Sequence, residues 1–448
     1  MITDTLRRLH NGDLTSTELV ATLLDRIAEL NPRLNAIRAV LTDDALAAAE
    51  KADRRLAEGA PIGPLDGLPI TVKDNIDVAG SATTQGVAAF AKDLSTVDAP
   101  VVANLRAAGA IPIARTNMPD FALRWHTDSG IAGATLNPWN PALTPGGSSG
   151  GEAVSLATGM SLLGVGNDLG GSLRWPSQCA GTAALRPTIG RIPQAQSLDP
   201  TTKPISLQLV EVQGPMARNV ADLRIAFAAM IAPDPRDPWH VPIPAGHLPT
   251  VIRRVHILRG DYPPAVHTAL NRASRALLDA GFDVHDAPPP GVDEAADGWA
   301  RLTNADSRRA WPDCEPFASD GARAFMAAMF DLVPPVDADG YANLLTTRAR
   351  LARAWSEYQR DTPLIVAPIY AGEPFRADED IDRAAEIVHN LAATVAVNFL
   401  GLPSVAVPVG LVDGLPQAVQ VIGPRFGEEN CLRAAEAIEV PVGRLPSR

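Results

Sequence analysis

Residues 144–188 read TPGGSSGGEAVSLATGMSLLGVGNDLGGSLRWPSQCAGTAALRPT, and the fold turns on how this stretch is understood. Two serine-bearing glycine clusters, Gly146–Gly151 and Gly170–Ser172, flank an apolar run rich in Ala, Val and Leu. Glycine lacks a Cβ, so the chain can turn sharply there and a substrate or a second backbone segment can come close. A serine in such a turn can be presented as a nucleophile, and consecutive free N–H groups can face a developing oxyanion. Two clusters separated by one helix length predict a single site folded back on itself.

On either side of this stretch, apolar strands alternate with amphipathic helices, the mark of an α/β layer. Thr15-Ser16-Thr17-Glu18 forms a capping box that opens a helix, and Asn31-Pro32 is expected to close it. A helix over 43–58, a strand over 68–72 ending at Lys73, a helix over 98–110 and a strand over 111–114 follow. The proline-broken stretch 117–145 reads as a long ordered loop forming a substrate rim or a packing connector. Later helices are expected over 220–231, 265–280, much of 290–350, 380–399 and 428–439. Strands are expected over 251–258, 282–285, 364–368, 404–408 and 417–422. Prolines at 233, 235, 238, 242, 244 and 249 predict an extended loop there. No internal repeat interrupts the pattern, so one large α/β domain is expected, with a mixed sheet flanked by helices on both faces.

Bulk properties exclude several classes. The net charge of −12 argues against a nucleic-acid surface, which needs clustered Lys and Arg. Three dispersed cysteines, with no CxxC pair, argue against a disulfide framework and a zinc site. No HExxH motif occurs, so no metal and no cofactor are expected. The N-terminus lacks a signal-peptide core and no run approaches about 20 apolar residues, so a cytoplasmic, non-membrane protein is expected.

The motifs resemble those of the amidase signature family. The run Gly170-Gly171-Ser172-Leu173-Arg174 corresponds to its nucleophile motif, and Gly146–Gly151 to its second serine cluster. Gly67–Asn75, reading GLPITVKDN, corresponds to its lysine strand. Thr116-Asn117-Met118, Asn137-Pro138-Trp139, Gly214-Pro215-Met216 and Gly401-Leu402-Pro403 match as well, so the likeness spans almost the whole chain. It implies a single amidase domain over 1–448, with a signature core at about 62–190 and a variable substrate-pocket segment at about 290–375. It implies Ser172 as nucleophile, Ser148 after a cis peptide bond as proton relay, and Lys73 as base. The backbone N–H groups of Leu169, Gly170, Gly171 and Ser172 would form the oxyanion hole.

The residue chemistry agrees with those roles. Burial would disfavour the ammonium form of Lys73 and make it a base near neutral pH. A hydroxyl both donates and accepts, as a relay must. Ala122, Trp125, Ser149 and Trp175 are candidate substrate contacts, with core packing the alternative for both tryptophans. Gly147–Gly151 also satisfies the G-x-S-x-G elbow with Ser149 as nucleophile, but no strand precedes it.

Two positions depart from the family pattern. Asn167 stands where Thr is usual, expected to alter support for the oxyanion loop, and Arg115 stands where Lys is usual. The resemblance implies hydrolysis of a small or aryl amide, with carbamates and esters open to the same acyl-enzyme chemistry. A homodimer is compatible with it. The alternatives are a glutamine amidohydrolase subunit of a tRNA-dependent amidotransferase, whose usual tyrosine-rich YDG segment is absent from 290–350, and a non-catalytic binding scaffold.

Overall fold

The computed structural model describes residues 1–195, 203–246, 251–361 and 363–440. Pro249 of the expected proline-rich loop lies outside the described residues, and 233–246 contains neither helix nor strand.

The strands are β1 (Ile37–Val40), β2 (Pro69–Lys73), β3 (Ile111–Thr116), β4 (Asp128–Ser129), β5 (Gly133–Ala134), β6 (Leu163–Asp168) and β7 (Ala183–Arg186). They continue with β8 (Val212–Ala217), β9 (Arg254–Ile257), β10 (Asp283–Asp286), β11 (Leu364–Pro368), β12 (Ser404–Val412) and β13 (Leu415–Ile422). Eleven of them form one mixed sheet in the order β1-β3-β2-β6-β8-β7-β12-β13-β11-β9-β10. Strands β3, β2 and β6 are mutually parallel neighbours, whereas β6 to β8 and β12 to β13 run antiparallel.

Side chains alternate across a strand, and here the alternation separates two apolar cores. Leu364 and Val366 of β11 enter one cluster, and Ile365 and Ala367 enter the other. The first core packs under the N-terminal helices and Pro264–Asp279. The second lies under Val292–Cys314, Asp320–Leu332 and Ala338–Asp361. The chain is thus a single α/β domain with helices on both faces of its sheet.

Two of the expected helices depart most from expectation. The first long helix runs through Pro32, over Ser16–Leu34, and stops at Asn35, whose backbone is left-handed (φ 51°) and whose N–H donates to Asn31 O at 2.8 Å. Proline removes its own N–H bond and crowds the carbonyl four residues back, but the helix continues through it and ends at the left-handed cap. The helix expected over 380–399 is broken into Glu379–Asp382, Ala384–Asn390 and Ala392–Leu400. The Asn390 carbonyl turns out of the ladder to accept from Ala371 N–H at 2.8 Å.

Candidate active site

Ligands of α/β sheets gather at the carboxyl ends of parallel strands, and the chemistry-bearing residues collect there. Lys73 ends β2, Thr116 ends the neighbouring β3, and Asp168 ends β6. The loop after β6 carries Ser172. The loop before the helix Gly150–Thr158 lays Ser148 beside Lys73, and the peptide bond between Gly147 and Ser148 is cis.

Lys73 is fully buried, and its Nζ donates to Ser148 Oγ at 2.6 Å and to Asn167 Oδ1 at 2.5 Å. Burial lowers its pKa from 10.5 to about 7, against the opposing fields of Glu211, Asp168 and Glu152. Half of the amine is therefore neutral near neutral pH, the form a general base needs. Glu152 is buried as well and pushed up to about 7 by burial, while hydrogen bonds from Thr71 and Thr116 pull it back.

Ser172 is 7 % exposed and opens onto a cleft, and its Oγ makes no hydrogen bond among the described residues. Below the loop, Asp168 receives Arg174 Nε at 3.0 Å, Arg174 Nη2 at 3.1 Å and Asn398 Nδ2 at 2.8 Å. Burial alone would raise its carboxyl, but Arg174 and Arg186 outweigh that and hold it well below the carboxylate range. Arg174 in turn donates to Gln420 Oε1 at 2.7 Å and Asn398 Oδ1 at 2.6 Å. A buried carboxylate needs such complete partnering, and this one clamps the turn that carries Ser172.

The clamp also reaches one of the expected oxyanion donors. Gly171 N–H donates to Asp168 Oδ1 at 2.8 Å and is therefore engaged, whereas the N–H groups of Leu169, Gly170 and Ser172 make no hydrogen bond among the described residues. Two of the four expected substrate contacts are also not brought to the cleft. Trp175 is buried in the second core, stacked on Phe375 at 5.4 Å and beside Tyr370 at 4.7 Å. Ser149 is fully buried behind β6, with its Oγ 3.5 Å from Asn167 O. Ala122 and Trp125 do line the cleft, together with Phe121, Trp299, Phe325 and Met326. Its empty space is about 620 Å³, counting the open mouth.

Comparison with known proteins gives the family and the fold. The profile of the Amidase family matches residues 18–432. The chain belongs to the amidase family. An indoleacetamide hydrolase of Bradyrhizobium diazoefficiens is 37% identical, with 99% of this chain and 87% of that protein covered. A glutamyl-tRNA(Gln) amidotransferase subunit of Chloroflexus aurantiacus is 30% identical over 96% of this chain and 94% of its own. The fold matches that of a bacterial aryl acylamidase of the amidase signature enzymes with a TM-score of 0.83, at 24% identity over 98% and 95% of the two chains. The protein is a hydrolase of amide C–N bonds.

Both departures from the usual amidase pattern now have a structural place. The side-chain oxygen of Asn167 accepts from the lysine. Arg115 is fully buried and donates to the carbonyls of Lys73, at 3.3 Å, and Ile76, at 2.6 Å, which pins the turn that follows the lysine. Trp299 and Phe325 are cleft residues that motif reading did not single out. The available signal was Trp299, Thr303 and Ser307 at helical spacing, which puts all three on one face of Val292–Cys314. Among the described residues, no group of His, Cys, Asp and Glu is placed to hold a metal ion. No helix there is long and apolar enough to cross a membrane.

Proposed function

We propose that Ser172, Ser148 and Lys73 form the catalytic set and that the substrate is a primary amide carrying an aryl group on a short acyl arm. The observation that carries the reading is the buried Lys73 amine, hydrogen-bonded to Ser148 at 2.6 Å beneath a cleft onto which Ser172 opens. Ser172 Oγ attacks the amide carbon. Its proton passes to Ser148, whose own proton passes to Lys73. The C–N bond then breaks as the same relay returns a proton to the departing nitrogen, which leaves as ammonia. Water next attacks the acyl-enzyme, delivers its proton along the same route, and frees the acid and Ser172. The N–H groups of Leu169, Gly170 and Ser172 are the oxyanion donors in this reading, and losing one such donor typically costs about 10²–10³ in kcat.

The acyl group is assigned from the wall chemistry. Trp125 and Phe325 meet edge to face at 5.6 Å, and Trp299 lies 6.2 Å from Trp125. Flat aromatic walls suit a flat aromatic ligand, and the 37% identical relative is named for indoleacetamide. Carbamates and esters fit the same acyl chemistry. Glutamine hydrolysis within a complex is the second reading, favoured by the likeness to the amidotransferase subunit. Among the described residues, the one arginine on the cleft is already paired, since Arg124 Nη2 donates to Asp378 at 2.8 Å and Asp380 at 2.6 Å.

The test is turnover of indole-3-acetamide, phenylacetamide, an aryl ester, an aryl carbamate and glutamine by wild type and Ser172→Ala. Release of ammonia from the arylacetamides by wild type alone is expected. Turnover surviving in Ser172→Ala, or a preference for glutamine, would overturn the proposal.

A further inference from the structure

Trp299 belongs to the helix Val292–Cys314, far in sequence from the serine loops, yet it touches the loop at its most sensitive point. Its Nε1–H donates to Leu169 O at 2.8 Å. The Cζ2 edge of its six-membered ring also lies close against Gly170: a Cβ built there would come within 2.5 Å of Trp299 Cζ2. Trp125 Nε1–H donates to the next carbonyl, Gly170 O, at 3.0 Å.

The two bonds are not equivalent. The Leu169 carbonyl shares its peptide group with the Gly170 N–H, which makes no hydrogen bond among the described residues. The Gly170 carbonyl shares its peptide group with the Gly171 N–H, which donates to Asp168 at 2.8 Å. A hydrogen bond accepted at a carbonyl polarises the peptide and strengthens the N–H on its far side. The Trp299 bond therefore acts on an unengaged donor of a residue that lines the cleft, and the Trp125 bond acts on a donor already engaged.

We infer that Trp299 is a positioning residue for the oxyanion hole as well as a wall of the acyl site: its indole N–H aims and polarises the Leu169–Gly170 peptide. The inference rests on Ser172 being the nucleophile. It also explains why residue 170 carries no side chain, because any Cβ would displace the indole that sets the peptide. The wall that receives the aryl group is thereby tied to the group that stabilises the transition state. Such a bond acts mainly on kcat, because charge on the carbonyl oxygen develops only in the transition state.

The experiment replaces Trp299 with 3-benzothienylalanine, which keeps the bicyclic shape and exchanges the N–H for sulfur, with Trp299→Phe as a second variant. Kinetics are measured on the best arylacetamide, together with inhibition by the matching aryl trifluoromethyl ketone, which forms a tetrahedral oxyanion on a serine. The expected result for the benzothienyl protein is a fall in kcat of about tenfold, with KM within about twofold and a matching loss of ketone affinity. The same replacement at Trp125 is expected to lower kcat by a clearly smaller factor. An unchanged kcat, a change confined to KM, or an equal kcat loss at Trp125 would overturn the inference. Ser172→Ala separates the two levels: if it is inactive while the Trp299 replacement is silent, only the role of Trp299 is lost.

Discussion

Replacing Lys73 by methionine should yield an enzyme that is inactive and, below neutral pH, more stable than wild type. Lys73 is fully buried, and burial lowers its pKa from 10.5 to about 7. At about 1.4 kcal/mol for each factor of ten in proton affinity, holding the ammonium in the interior costs about 5 kcal/mol. The unfolded chain binds this proton more tightly than the folded one, so the penalty is complete below about pH 7. It shrinks as the pH rises and disappears above the unfolded value of about 10.5. Methionine fills similar space without charge but leaves Ser148 Oγ and Asn167 Oδ1 without their donor, a loss of about 1–3 kcal/mol. The net expectation at pH 6 is a gain of about 2–4 kcal/mol, which for a chain of this length is about 1 °C in Tm per kcal/mol. Differential scanning calorimetry of both proteins from pH 6 to pH 10 reads it. The stability gap should close at about 1.4 kcal/mol per pH unit through that window. A variant less stable than wild type at pH 6, or a gap that does not change with pH, would falsify the picture of a lysine held partly neutral by burial.

Two more expectations concern the supports of the site. In wild type, kcat/KM should rise with pH through a midpoint near 7 as Lys73 loses its proton. Asn167→Ala removes an acceptor that favours the ammonium, so that midpoint should fall by about one pH unit, the scale of one hydrogen bond to a charge; a pH–rate profile that stays in place refutes this. Arg174→Met strips the main partner from the buried Asp168 carboxylate, which should cost about 3–5 kcal/mol of stability together with most activity. Chemical denaturation and turnover measure both, and a loss under 1 kcal/mol would show that Asn398 and Arg186 suffice.

Whatever local chemistry decides was legible in the chain before any contact was known. The glycine-rich turns at Ser148 and Ser172, the capping box at Thr15–Glu18 and the apolar strand 364–368 all depend on near neighbours, while the grouping of Lys73 with the two serines was implied by the family resemblance. Backbone propensity, capping and alternation act over a few residues, so each leaves its mark in the sequence. Folding decided which face of each element found which partner. It buried both Trp125 and Trp175 in the second core but left only Trp125 on the cleft wall, although both are tryptophans beside the same motifs. It engaged the Gly171 N–H on Asp168, and it brought Asn398 and Gln420, more than 200 residues away in the chain, onto Arg174. It also set Trp299 on the oxyanion loop and turned the Asn390 carbonyl to Ala371. These outcomes follow from burial and long-range hydrogen bonding, where the free energy belongs to a pair of distant segments and neither segment alone encodes the match.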